Sequence, residues 1–351
     1  MIENLSSNEN FDPATLLESL VVLRNLSTSN DVRDIIAAEG GGECILKILH
    51  VTVGDVSVPN ADLVTTEVAI LKNLALSPSL PTRLGKEGAF SAVMKVMGVL
   101  WQNRKILEES CSLLTNLIHH HADNLSIAGS HGIFEEISRL LRDVPSEESV
   151  LLPLINLIQT CLMNEESRTK LGNLDLIPNL IVLLRTLPDS LDVTISTLGT
   201  HLVTSIFKNL NPFTGALTNA TLGHELNKER VGECGGIAEI LTTMKRHADQ
   251  ESVVTSAFFT LRNVSASEAN KIRIREIGGI PSIFELFCRH STSFDVVSVA
   301  FAAMYNISIN EKNARLFAEL GAVPVIEKAS QIHGGSVESL GKSLLELLVE
   351  A

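Results

Sequence analysis

Seven asparagines, Asn25, Asn73, Asn116, Asn156, Asn209, Asn263 and Asn306, recur at intervals of 48, 43, 40, 53, 54 and 43 residues. Each sits in a similar apolar setting: LRNLS, LKNLA, LTNLI, LINLI, FKNLN, LRNVS and MYNIS. A carboxamide carries both a donor and an acceptor, so it can satisfy a peptide unit bidentately without reading the side chain. The residue before the asparagine is Arg24, Lys72, Lys208 or Arg262 in four settings, and Tyr305 in the last. That constellation predicts recognition of an extended segment through its main chain, with the cations favouring an acidic one. The competing structural role is a bond from each asparagine to a neighbouring helix terminus that holds a stack together. On that view the cations are side chains snorkelling at helix rims.

The chain carries no signature of catalytic chemistry. There is no G-x-x-x-x-G-K-[ST], no G-x-S-x-G and no H-E-x-x-H. His119, His120 and His121 form the one concentrated histidine cluster. Consecutive residues on a helix point about 100° apart, so three adjacent imidazoles do not close on one ion. They suit a helix C-terminus instead. The acid pairs Glu108-Glu109, Glu135-Glu136 and Glu165-Glu166 read as solvated helix faces. The sequence therefore predicts no catalytic residue, no metal and no cofactor.

The elements that position the asparagines follow a second beat, a glycine opening a short apolar helix: EGGGECILKIL, EGAFSAVMKVM, HGIFEEISRLL, CGGIAEILTTM, IGGIPSIFELF and LGAVPVIEKAS. One unit shows the whole pattern. ANKIRIREIG is a short helix closed by Gly278 and Gly279, Pro281 lies in the first turn of a second helix, and VVSVAFAAMYNIS is a longer third helix. A helical period of about forty residues marks a solenoid. The expected organisation is a tail at 1–12, then one domain over 13–350. That domain starts with an isolated third helix at 13–27, with Asp12 as N-cap and Pro13 at N1. Repeats follow at about 29–77, 79–119, 123–163, 165–211, 225–267, 269–310 and 312–350. In the repeat at 165–211 the glycine turn is replaced by Leu174-Asp175-Leu176. Residues 50–63 lengthen the loop between the second and third helices of the first repeat, and 211–223 add a loop between repeats. Glu346 falls where the last asparagine would lie, as suits a polar terminal cap.

Composition agrees with this architecture. Hydrophobic residues make up 45% of the chain but aromatics only 4%, so Leu, Ile, Val and Ala fill the core of stacked helices. A net charge of −13 counts against generic binding to nucleic acid or an anionic membrane. The start shows no secretory signal pattern, and Ile2 rules out N-myristoylation. No direct membrane anchor is expected, and the chain is placed in the cytoplasm, the nucleus or both. Five scattered cysteines suggest neither a disulfide framework nor a zinc site, and read as small buried hydrophobes.

The segments NKIRIREIGGIPSI with TLRNVS, and KNARLFAELGAVPVI, resemble the armadillo repeat, and LRNLS and LKNLA are similar to third helices of the β-catenin type. The resemblance spans about 14–350. It implies an all-α fold, a right-handed α-solenoid of three-helix repeats, whose third helices line a concave groove. Armadillo proteins bind extended peptides there, their asparagines bonding the ligand main chain. Nuclear import adaptors of this family add a Trp one turn before each asparagine. Here that position holds Val21, Ala69, Ser112, Leu152, Ser205, Phe259 and Ala302, which disfavours an import adaptor. The expected function is a non-catalytic scaffold or adaptor holding an extended acidic segment of a partner protein, with the oligomeric state left open and a monomer as the default. Two alternatives are an atypical nuclear-transport cargo receptor and a chaperone or exchange factor for a small GTPase.

Overall fold

The computed structural model describes residues 13–54, 60–143, 148–186 and 225–351. Twenty-one helices and no strand occur among the described residues. They divide between two compact units, 1–161 and 162–351.

The first unit opens with α1 (Pro13–Leu26), followed by three triplets. These are α2 (Asn30–Ala38), α3 (Gly41–Gly54) and α4 (Ala61–Leu74); α5 (Leu80–Lys86), α6 (Ala89–Val99) and α7 (Arg104–Ile118); and α8 (Ala122–Ser130), α9 (Ile133–Asp143) and α10 (Glu148–Cys161). The second unit starts with α11 (Glu165–Asn173) and α12 (Leu176–Thr186). It continues with α13 (Glu225–Glu233), α14 (Gly236–Arg246) and α15 (Glu251–Val264), then α16 (Glu268–Glu276), α17 (Gly279–Arg289) and α18 (Phe294–Ser308). It ends with α19 (Glu311–Glu319), α20 (Ala322–His333) and α21 (Gly335–Glu350).

The chain turns between first and second helices through a left-handed residue. Gly278 takes φ 69°, and Asp175, at the position without glycine, takes φ 58°. An L-residue can occupy that region at a cost, and the short polar side chain of Asp tolerates it better than most. Three of the third helices, α4, α7 and α18, begin on side-chain caps. Asn60 Oδ1 accepts from the N–H groups of Asp62 and Leu63, Asn103 Oδ1 from Ile106, and Ser293 Oγ from Val296. Each cap satisfies donors that the first helical turn leaves unpaired. The residues expected to extend a loop at 50–54 instead continue α3 to Gly54. Within each unit the third helices pack side by side, and their Leu, Val, Ile, Ala and Phe side chains form most of the core. The rings of Phe287 and Phe301, both fully buried, meet at 5.5 Å between centroids. Cys111 and Cys161 are buried, and burial pushes both thiols up to about 12. Cys44, Cys234 and Cys288 are only half-buried, so the expected burial holds for two of the five.

Candidate functional site

The third helices bring the asparagines into rows, one row within each unit. Asn73 on α4 donates through Nδ2 to the Arg24 carbonyl (3.5 Å) and to Ser27 Oγ (3.0 Å) of α1 and its C-terminal turn. Asn116 on α7 donates to the Lys72 carbonyl at 3.0 Å, and Asn306 on α18 to the Arg262 carbonyl at 2.9 Å. The acceptor in each case belongs to the residue just before the preceding asparagine. Repetition of one bond in one register stacks successive amides on the same face. Asn73, Asn116, Asn156, Asn263 and Asn306 are half-buried, and Asn25, at the start of the row, is exposed. Asn209 and Lys208 lie outside the described residues.

This geometry changes what the amides offer. Where Nδ2 is committed to the preceding helix, the oxygen is the free half of the carboxamide. Asn73, Asn116 and Asn306 then present acceptors rather than the bidentate donor–acceptor pair expected from the residue type.

The flanking cations also differ from one another. Arg262 is exposed and Arg24 half-buried, and neither forms an ion pair among the described residues. Lys72 Nζ lies 2.6 Å from Glu109 on α7, and Lys105 Nζ lies 3.0 Å from the same carboxylate and 2.9 Å from Glu108. Glu109, expected on a solvated face, is instead buried between the two lysines. Burial pushes its carboxyl up, but the bonds and charges of Lys72 and Lys105 outweigh this and hold it below the ordinary range. Lys72 thus arrives already paired, and it bridges two successive third helices. Tyr305 is half-buried beside Asn306. The position one turn before each asparagine carries no ring in the first unit, while Phe259 is half-buried there in the second.

A second asparagine series has no assigned role in the sequence reading. Asn124, Asn227, Asn270 and Asn313 lie on the first helices and are at most 1% exposed. Asn270 Nδ2 donates to the Lys228 carbonyl at 2.7 Å and to Val264 at 2.9 Å. Asn313 repeats this with Lys271 (3.0 Å) and Ile307 (3.1 Å), and Asn124 with Pro81 (2.9 Å) and Leu117 (2.7 Å). One amide thus ties the preceding first helix to the end of the intervening third helix. Close approach makes room for it: a Cβ at Gly85 would collide with the Asn124 oxygen, and one at Gly232 with that of Asn270. In α11 an arginine fills the place, Arg168 Nη1 donating to the Leu162 carbonyl six residues earlier at 2.8 Å. The signal was present in the sequence as the Asn of NKIRIREIGG and KNARLFAELG, but only the fold shows what it touches.

The rings of His119 and His120 lie 3.8 Å apart between centroids, tilted by 54°, and His121 Nδ1 lies 3.3 Å from Thr82 Oγ1. Burial, followed by the charges of its two neighbours, lowers the His119 pKa. Among the described residues no group of three or more His, Cys, Asp or Glu is placed to hold a metal. No described helix is long and apolar enough to cross a membrane.

Triplet helices joined by left-handed turns and tied by repeated asparagines define an armadillo-type α-solenoid. The model of the plant U-box protein ARM repeat region matches residues 1–197, more than half of the chain, and the chain belongs to that family. Solved structures of the same fold include an engineered protein at TM-score 0.60 and 16% identity, covering 75% of this chain and 96% of that one. A designed armadillo repeat protein is similar at TM-score 0.58 and 19% identity, covering 70% and 94%. Another, in complex with the peptide (KR)4, gives TM-score 0.60 and 16% identity over 74% and 98%. No curated protein matches the chain.

Proposed function

We propose that this protein is a non-catalytic scaffold that holds an extended segment of a protein partner along the face lined by its third helices. The observation that carries the reading is the repeated bond from an asparagine Nδ2 to the carbonyl before the preceding asparagine. It fixes each amide and leaves its oxygen to accept an N–H from a partner main chain. A segment without internal hydrogen bonds has such donors available, and it orders on binding. Glu108 and Glu109 balance Lys72 and Lys105, which leaves Arg24 in the first unit and Arg262 in the second as cations without an ion pair among the described residues. That balance favours acidic side chains on the partner. The designed armadillo protein bound to (KR)4 has the same fold but accepts the opposite charge. This chain has no Trp one turn before its asparagines to cover lysine stems.

The test is fluorescence anisotropy with three labelled 12-residue peptides: a Glu/Ser repeat, its Gln/Ser counterpart and a Lys/Arg repeat. The Glu/Ser peptide is expected to bind best. Its affinity should fall about tenfold or more when Arg24, Lys72, Lys208 and Arg262 are all changed to Glu. Preference for the Lys/Arg peptide would support the transport-receptor reading instead. Equal binding by the wild type and the charge-reversed variant would overturn the basic-face argument.

A further inference from the structure

The turns between first and second helices carry different surfaces in the two units. In the second unit the residue before the left-handed glycine is Cys234, then Ile277, then Leu320, in three successive repeats. Four residues further on, in the first turn of the second helix, stand Ala238, Pro281 and Pro324. Ile277 and Leu320 are 48% and 41% exposed. Ala238, Pro281 and Pro324 are exposed, and Cys234 is half-buried. The first unit makes the same turns with polar residues: Glu39, Glu87 and His131 before the glycine, and Glu43, Ser91 and Glu135 four residues on. The turn therefore needs no apolar side chain at either position. The prolines also suit a first helical turn, but no such reason applies to Ile277 and Leu320.

These residues fall in a line. Cys234, Ile277 and Leu320 each come seven residues after an enclosed asparagine, Asn227, Asn270 or Asn313. Asn270 bonds the Lys228 carbonyl and Asn313 the Lys271 carbonyl, so the three first helices stack in one register and their ends align. Ile277 sits mid-line, with a described repeat on either side, so its exposure does not arise at an end of the array. The described chain enters α13 at Glu225, the opposite end of that helix from Cys234.

Carboxylates follow the line. Glu233, Glu276 and Glu319, each one residue before an apolar position, are exposed. Arg273 approaches Glu233 at 3.9 Å, whereas Glu276 and Glu319 have no ion pair among the described residues. Arg275 is turned to the side-chain oxygens of Asn310 and Asn313. On the second helices Glu285 and Glu327 are exposed beyond the prolines, against one exposed cation there, Lys328. Packed helices lie about 8–10 Å apart, and two turns of an α-helix advance about 10.5 Å. A helix laid along the line would meet each repeat with the same face. Its two apolar positions per heptad match the two apolar positions per repeat. An extended strand returns to one face about every 6.7 Å and falls out of step.

We propose that this line of turns in the second unit, apart from the asparagine row, docks an amphipathic helix of a partner protein with a heptad apolar stripe and lysine or arginine flanks. The stripe would cover Cys234, Ile277 and Leu320 with the three residues that follow them in the second helices. The flanking cations would meet Glu276 and Glu319. A second copy of this chain fits poorly, because two such lines would set glutamates against glutamates.

The test is anisotropy with a labelled 21-residue synthetic helix bearing leucines at i, i+3, i+7, i+10, i+14 and i+17 and lysines on its flanks, compared with a glutamate-flanked counterpart. The lysine helix is expected to bind the full chain, and the glutamate helix about tenfold more weakly or less. Ile277→Ser with Leu320→Ser keeps the charge and puts polar residues where the first unit already has them. It should weaken the lysine helix about tenfold while leaving Glu/Ser peptide binding unchanged, which separates this surface from the groove reading. Glu276→Lys with Glu319→Lys keeps the apolar line and should reverse the preference toward the glutamate helix. Equal lysine-helix affinity in wild type and both variants would overturn the proposal. So would loss of both ligands together in the serine variant, which places the helix in the asparagine row. A wild-type dimer in sedimentation that the serine pair dissociates would assign the line to a second copy and overturn it equally.

Discussion

Two series of asparagines run through this protein, and both use the same bond. On the first helices, Asn270 and Asn313 donate twice each to carbonyls of flanking helices and are fully enclosed. On the third helices, Asn116 and Asn306 donate once each across the stack and remain half-exposed. In the enclosed series the oxygens are engaged as well, that of Asn270 accepting from Arg273 at 3.0 Å and that of Asn313 from Arg275 at 3.1 Å. In Asn116 and Asn306 the bond uses Nδ2 and leaves the oxygen uncommitted. A repeated residue type can therefore be structural in one register and available for recognition in another, and burial decides which.

Removing a member of the enclosed series should have the largest effect. Asn270→Ala leaves two buried carbonyls without a donor and opens a small void, costing about 2–4 kcal/mol. Its denaturant midpoint should fall accordingly, and Gly232→Ala, which pushes a methyl against the Asn270 oxygen, should lower it as well. If Asn270→Ala unfolded no more easily than Asn306→Ala, the distinction between the series would fail.

Glu67 sharpens the comparison, because it is a buried polar group that is not fully satisfied. Its Oε1 accepts from Thr52 at 2.9 Å, while Oε2 has no hydrogen-bond partner. Burial pushes the carboxyl from 4.5 to about 8, the Thr52 bond opposing only part of this. The folded state then holds a proton that the unfolded state gives up, so stability should decline as pH rises from about 4.5 to about 8. Glu67→Gln should remove that slope and stabilise the protein at pH 8 by on the order of 2 kcal/mol. Melts at pH 5 and pH 8 check this, and a slope unchanged in the variant would contradict it.

A smaller effect is expected at the Lys72–Glu109–Lys105 bridge, where solvent reaches both lysines. Lys72→Met should cost about 1 kcal/mol near neutral pH. The Glu109 carboxyl is held below its ordinary range, so its contribution is complete above that range and lost as pH falls through the depressed value. Glu109→Gln should therefore flatten part of the acid limb of the stability curve. Smallest of all, Asn306→Ala removes one half-exposed bond and should cost about 0.5–1 kcal/mol.

Much of this was legible in the chain. The glycine beat and the third-helix asparagines located the helix triplets because both recur in fixed apolar settings. Asp175 filled a glycine position that the sequence flagged as irregular, and its φ 58° explains how the turn survives. The isolated first helix was legible too, from Pro13 at its start and Asn25 near its end. Glu109 has a local partner in Lys105, four residues earlier, but its burial depends on Lys72, 37 residues away and one repeat earlier, beyond any local pattern. The same distance hid the enclosed asparagines, whose acceptors lie in the preceding repeat. The expected third helix carrying Lys208 and Asn209, and the added loop at 211–223, fall outside the described residues.

The most direct test sets the two series against each other in one protein. Asn73, Asn116 and Asn306 changed together to Ala should lose most Glu/Ser peptide binding well below the transition, at a stability cost of about 0.5–1 kcal/mol for each residue changed. Asn270→Ala alone should lower the melting temperature clearly, yet bind the peptide normally below its transition. If the triple variant instead melted well below Asn270→Ala and still bound the peptide at wild-type affinity, the third-helix asparagines would be stack fasteners and the recognition account would be wrong.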